Sequence, residues 1–284
     1  MGGATVFKLA SQWWGRLICI NTPAVWTLDC VNPPGGIRTS AGGHLERRVK
    51  VSLLEGSHRQ TCTDCAVRGF AICASLDKTE QWELASLSRH VQCEPGTTVF
   101  AQATMATSFF SMLEGVLRLY KLLPDGRRQI IGFALPGDFL GLAGSAQYEF
   151  SADAVGAVLL CQFSRVSFSR FAENRPRFLR RMNELAGREL IRAQEHMVLL
   201  GRRSAEEKVA SFLIGWRDRL AEIGHAEDVL PLPMGRLDIA DYLGLTIETV
   251  SRTFTKLERD GIIRILTGGI SLVDAARAEA MSAA

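Results

Sequence analysis

Apolar residues recur at two different periods along this chain, and the change from one to the other divides it. Between residues 96 and 165, short apolar runs alternate with turn signals, which predicts strands over 97–101, 109–113, 116–122, 129–133, 152–155 and 158–163. Pro124-Asp125-Gly126 and Pro136-Gly137-Asp138 mark two of the turns. Strands at this density predict a compact antiparallel roll or barrel. Ahead of them, Trp82, Leu84, Leu87 and Val91 are spaced as the buried positions of a helix over 78–91. Behind them a helical period runs through 169–201, with Met182, Ala186, Leu190, Ala193, Met197 and Leu200 as one stripe, widened by Leu179, Leu185 and Val198. A helix of that length between two other units has too little of its own chain to cover the stripe. It is expected to pair with a second copy as a two-stranded coiled coil, the alternative being that it packs wholly on the roll.

The helical period continues beyond this point in shorter pieces. Ser204 is placed to cap the next helix with Glu207 at the capping-box position, and Val209, Phe212, Leu213 and Trp216 point inward. Residues 237–261, LDIADYLGLTIETVSRTFTKLERDG, then read as two helices joined by a tight turn at Gly244. Ile239, Ala240 and Leu243 face inward from the first, and Leu245 fills the angle between the two. Thr246 is the N-cap of the second, whose buried stripe is Val250, Phe254 and Leu257. Its other face presents Glu248, Ser251, Arg252, Thr255 and Arg259, an acceptor, hydroxyls and guanidinium groups of the kind that read base edges in the major groove. A solvated helical hairpin has the same period. The predicted strands 262–266 and 270–273 around Thr267-Gly268-Gly269, however, complete the order of a winged helix-turn-helix.

Composition changes this picture little. The 284 residues are 47% hydrophobic and 22% charged, ordinary values for a chain long enough to form two compact domains, and no stretch reads as a membrane span. A net charge of +3 does not by itself indicate a nucleic-acid partner, and acidic residues outnumber basic ones between 204 and 274. Phosphate attraction therefore falls to a few placed groups such as Arg252, Lys256 and Arg264, and binding as a dimer is expected. Residues 1–50 sustain no period. A signal peptide is suggested only by Lys8 and Arg16 ahead of residues 17–20, which Asn21 and Pro23 interrupt. A disordered extension, or translation upstream of the true start, is the expectation.

Seven unevenly spaced cysteines fit a reducing compartment and a metal site better than a disulfide scaffold. Cys62, Cys65 and Cys73 form a C-x2-C-x7-C triplet, and a tetrahedral sulfur site needs one more ligand. Spacing leaves Cys93 and Cys161 equally open for that place, and it leaves a zinc loop open as well as an iron–sulfur centre. No nucleophile with an orienting base and no phosphate-cradling glycine loop stands out, so the chain does not read as an enzyme.

The order roll, long helix, winged helix-turn-helix resembles the CRP/FNR superfamily of bacterial transcription regulators, and YLGLTIETVSRTFTKLE resembles the recognition segment of its FNR/FixK branch. The resemblance covers about residues 60 to 275. It implies an α+β fold with an N-terminal double-stranded β-helix of jelly-roll type as sensor domain, a long dimerisation helix and a C-terminal winged helix-turn-helix. The corresponding boundaries are an extension over 1–50, a cysteine-rich segment over 51–78, the roll over 79–168, the dimerisation helix over 169–203 and the reader over 204–284. Glu248, Ser251 and Arg252 match the family's E-x-x-S-R, which contacts TTGAT half-sites of a palindrome, with Thr246, Thr255 and Lys256 as further DNA-binding candidates. The resemblance also implies Cys62, Cys65, Cys73 and Cys161 as ligands of a 4Fe-4S cluster. It thereby implies a cytoplasmic, oxygen-responsive homodimer that binds DNA at low oxygen and meets RNA polymerase through roll loops such as 137–145. A cyclic nucleotide is not expected. Leu142 follows Gly141 where that branch carries a Glu, and Phe150-Ser151 stand where it carries an Arg with Ser or Thr, so a phosphate would lack its guanidinium partner.

Overall fold

The computed structural model describes residues 51–53, 65–142, 144–225 and 227–283. The extension 1–50, with Cys19 and Cys30, and the first triplet cysteine, Cys62, lie outside them. Two sheets form the roll. The first has the order β1 (Val51–Leu53), β2 (Ser88–Cys93), β9 (Val158–Ser164), β4 (Ser108–Glu114), β7 (Phe139–Leu140). The second has the order β3 (Thr98–Phe100), β8 (Ser151–Ala154), β5 (Leu117–Leu122), β6 (Arg128–Ala134). All their pairings are antiparallel. β1 comes from the segment expected to carry only the cysteine loop, yet it extends the sheet by pairing with β2.

Period-two alternation sorts the side chains of β4 and β9 between two cores. Phe110, Met112, Val158 and Leu160 turn into the space between the sheets, with Val91, Cys93 and Phe100. Phe109, Cys161 and Phe163 turn outward, under the helices that cover the first sheet.

Two helix expectations need correction. The helix predicted over 78–91 stops early: α1 is Lys78–Ser86, closed at its start by the Asp77–Glu80 capping box. The chain then enters β2, whose six residues all pair with β9. Helical spacing and strand alternation coincide over so short a run, and long-range pairing decides between them. Trp82, expected inside, is 49% exposed because α1 buries only Leu84 and Ala85. The helix predicted over 169–201 is two helices, α2 (Arg165–Glu173) and α3 (Pro176–Arg202). Pro176 opens the second. Its ring pushes Arg175 out of the helical region, to φ −126°, ψ 81°, and so separates the two.

The C-terminal part follows the sequence pattern closely. α4 (Ala205–Glu222) begins at Ser204 with a complete capping box to Glu207, and it buries Val209, Phe212, Leu213 and Trp216. β10 (Val229–Pro231), α5 (Arg236–Leu243), α6 (Ile247–Arg259), β11 (Ile263–Leu266), β12 (Gly269–Leu272) and α7 (Ala275–Ala283) complete the chain, with the short strands ordered β10-β12-β11. α5 ends at Gly244, whose φ of 62° is left-handed. The reader's core is continuous with the roll, because Ile130, Phe133 and Leu135 pack in one cluster with Phe212, Ile239, Leu243 and Phe254. No helix among the described residues is long and apolar enough to cross a membrane.

Candidate nucleic-acid interface and cysteine pocket

α6 carries the candidate DNA-reading residues. Val250, Thr253, Phe254 and Leu257 are buried, which leaves Glu248, Ser251, Arg252 and Thr255 exposed on the opposite face. Thr246 is the N-cap, its hydroxyl accepting from the backbone N–H of Thr249 at 3.2 Å. The carboxyl of Glu248 is held below its ordinary value by its own backbone N–H at the helix start, then by the Thr246 hydroxyl and the charge of Arg252. It is therefore an ionised acceptor at neutral pH. Thr255 donates to the Ser251 carbonyl at 3.1 Å, and Lys256 pairs with Glu206 at the start of α4. Arg264 is exposed on β11, on the wing. The reading face is thus free of intramolecular packing, although Lys256 would have to leave Glu206 to reach a phosphate.

The reader is clasped to the roll by charge. Arg118 on β5 lies 3.2 Å from Asp238 and 3.4 Å from Asp153, and Arg128 on β6 lies 2.7 Å from Asp238 and 2.6 Å from Asp241. Gln129 adds a hydrogen bond to the Asp241 carbonyl at 2.6 Å. Asp238 is buried, and both guanidinium groups converge on it.

α3 is covered at its ends and bare in its middle. Phe178 and Leu185 pack under the roll, with Met182 partly buried beside them, and Leu199 joins the reader's core. Between them Ala186, Leu190, Ala193 and Met197 are exposed, Leu190 by 59% and Met197 by 63%, while Leu200 is half-buried. Packing on the roll therefore accounts for only part of the stripe.

The cysteines divide by sheet face. Cys65, Cys73 and Cys161 line one pocket of about 470 Å³, counting space open to solvent. Its other walls include Val67, Leu84, Leu113 and Phe163. Cys161 occupies the middle of β9, flanked across the sheet by His90 on β2 and Ser111 on β4. Cys93 belongs to the interior core between the sheets, where burial pushes its thiol up. Among the described residues no three His, Cys, Asp or Glu side chains come close enough together to hold a metal ion. The donor set is nevertheless soft sulfur in apolar surroundings, which suits a thiolate-held cluster and not a hard cation. Arg181 on α3 donates to the carbonyls of Phe70 and Ala71, the latter at 3.4 Å, and so ties the loop before Cys73 to the long helix.

Positions 142 and 150 offer no charge to a phosphate. Leu142 packs beside the aromatic cluster under the helices, and the Phe150 ring stands 5.5 Å from Phe100.

Comparison with known proteins agrees with this architecture. Residues 232–263 match the model of bacterial regulatory proteins of the crp family, and residues 90–175 match that of the cyclic nucleotide-binding domain. A nitrogen fixation regulation protein FixK from Bradyrhizobium diazoefficiens is 64% identical over 223 residues, 78% of this chain and 94% of the relative. This chain belongs to the crp family of bacterial regulatory proteins. Within it the chain falls in the FixK/FNR branch. The transcriptional activator protein FnrL of Cereibacter sphaeroides is 36% identical over 72% of this chain and 84% of the relative. The solved structure of FixK2 from Bradyrhizobium japonicum superposes with a TM-score of 0.65 at 35% identity, covering 69% of this chain and 98% of that one. The protein is a DNA-binding transcription regulator and not an enzyme.

Sequence reasoning missed four polar residues that the fold uses at its joints: Arg181, His196, Lys208 and Asp238. Each sits on a helix face that reads as solvated, and nothing local distinguishes it from a surface residue.

Proposed function

We propose that this regulator binds palindromes of TTGAT-type half-sites as a homodimer and answers to oxygen through a 4Fe-4S cluster held by Cys62, Cys65, Cys73 and Cys161. The observation that carries the sensing part is that Cys65, Cys73 and Cys161 line the same apolar pocket. A cluster bound there would supply an oxygen-labile redox centre. The chain's own residues supply the rest. Arg181 fastens the cysteine loop to α3 next to Met182, so a displacement of the loop bears on the helix whose exposed stripe pairs the two copies. On the reader, Arg252 forks to a guanine, Glu248 accepts from a base amino group, and Ser251, Thr246, Thr255 and Lys256 contact neighbouring bases and phosphates. RNA polymerase meets the DNA-bound dimer through the roll, and the protein works in the cytoplasm. The stretch 137–145 expected to serve is mostly buried or half-buried, because β7 runs through it, and among its described residues only Gly144 is exposed.

Anaerobic purification followed by a visible spectrum and iron and sulfide analysis tests the sensing part. Brown protein with about four irons per chain, bleaching in air, is expected. Colourless protein with stoichiometric zinc or no metal would leave the DNA reader standing and remove the cluster. Cys161→Ala should abolish iron retention and anaerobic activation, whereas Cys93→Ala should be mild. Equal loss at Cys93 would overturn the ligand set.

A further inference from the structure

The turn between α5 and α6 is held, residue by residue, by the end of the long helix and by α4, which follows it. The His196 ring of α3 lies flat on Tyr242, with centroids 4.2 Å apart and planes within 4°, and its Nε2 donates to the Tyr242 carbonyl at 2.8 Å. Lys208, on α4, is only 8% exposed. Its ammonium donates to the carbonyl of Leu200 at 3.1 Å, near the end of α3, and to that of Leu243 at 3.2 Å, the last residue of α5. Gly244 follows in the left-handed conformation, and a Cβ there would stand 3.2 Å from Leu200 Cδ2. Three successive residues, 242 to 244, are thus fixed just before the helix that faces DNA.

We propose that Lys208 is a positioning residue which pins the reader to the dimerisation helix and thereby sets the separation of the two recognition helices in the dimer. The last carbonyls of a helix have no partner within it and carry its negative end. One ammonium has three donors and no acceptor, so it can join two such ends where a neutral side chain would leave both unsatisfied. Its contact on α3 lies one turn from His196 and beside Met197, which is 63% exposed on the pairing stripe. The way the two long helices pair is therefore transmitted to the turn through Leu200, His196 and Lys208 by direct contacts.

The inference rests on the dimeric, DNA-binding reading above, and the test separates the two. Full-length wild type, Lys208→Met and His196→Phe are each titrated with a duplex bearing one half-site, with the palindrome, and with palindromes lengthened or shortened by one base pair between half-sites. Met keeps the apolar stem without the ammonium, and Phe keeps the ring stack without the donor. Both variants should melt cooperatively and hold the single half-site as wild type does. They should lose on the order of tenfold on the palindrome and show a smaller penalty for altered spacing. Should Lys208→Met not fold, His196→Phe carries the test. Palindrome affinity and spacing penalty equal to wild type in a folded variant would overturn the proposal. So would a parallel fall on the half-site, which would make the residue a support of the reader's own fold. If wild type itself gains nothing from the second half-site, the dimeric reading falls, and this inference with it.

Discussion

Leu190 stands at the middle of the bare stretch of α3, and its truncation measures what a second copy covers. Leu190→Ala removes three carbons, which costs about 2.4 kcal/mol when all are buried, at about 0.8 kcal/mol per CH2. The side chain is 59% exposed in the single chain, so pairing has about 1.4 kcal/mol of that to gain. A two-fold axis places the same residue on both partners, which doubles the loss to about 2.8 kcal/mol, or about a hundredfold in the dimer dissociation constant. Sedimentation equilibrium across a dilution series reads it directly, under air and anaerobically. Val166→Ala is the control, since Val166 is 62% exposed but lies on α2, away from the stripe. An unchanged dissociation constant for Leu190→Ala, or an equal change for Val166→Ala, would refute burial of this stripe between two copies.

Three further outcomes follow from the reader and its joint. Gly244→Ala should cost about 1–2 kcal/mol, since an L-residue is strained at a left-handed φ, with an additional penalty from the approach to Leu200; urea denaturation reads the midpoint shift. Arg252→Ala should relax discrimination at one base position by about 1–3 kcal/mol, and uniform weakening on every sequence would make Arg252 a phosphate contact instead. Burial lowers the pKa of His196, so the folded state binds that proton less readily than the unfolded chain. Its contribution to stability is complete above the ordinary value of 6.5 and is lost as the pH falls from there toward the folded value. Thermal melts of wild type and His196→Phe should diverge in slope below that pH, and parallel curves would contradict a buried neutral imidazole.

The legible parts of this protein were those written in local periods. α6 could be read almost residue by residue because one face of a helix had to be apolar and the other was left free, and the Ser204–Glu207 capping box marks the start of α4 by itself. Six strands of the roll were also legible, since turn residues bound them, but β1 and the two-residue β7 were not predicted. β2 was not, because its alternation is short enough to pass for the end of α1 and only its pairing with β9 makes it a strand. The break at Pro176 was a local signal that the long apolar stripe masked. Spacing alone could not choose between Cys93, just before a turn in VQCEPG, and Cys161, inside the apolar run VGAVLLCQFS. What separates them is the face of the sheet, and that depends on register. Lys208 and His196 were illegible for a different reason: each reaches a backbone carbonyl more than thirty residues away.

The shared core of β6 and the reader limits how this protein can be cut and joined. Ile130, Phe133 and Leu135 complete the same hydrophobic cluster as Ile239, Leu243 and Phe254, and Arg118 and Arg128 neutralise two aspartates of α5. A reader excised at residue 204 would carry an uncovered apolar face and two acidic groups stripped of their counter-ions. Grafted onto another sensor, it would need that sensor to supply an equivalent hairpin. Point changes on the outer face of α6 leave this joint intact, whereas exchange of the whole reader breaks it.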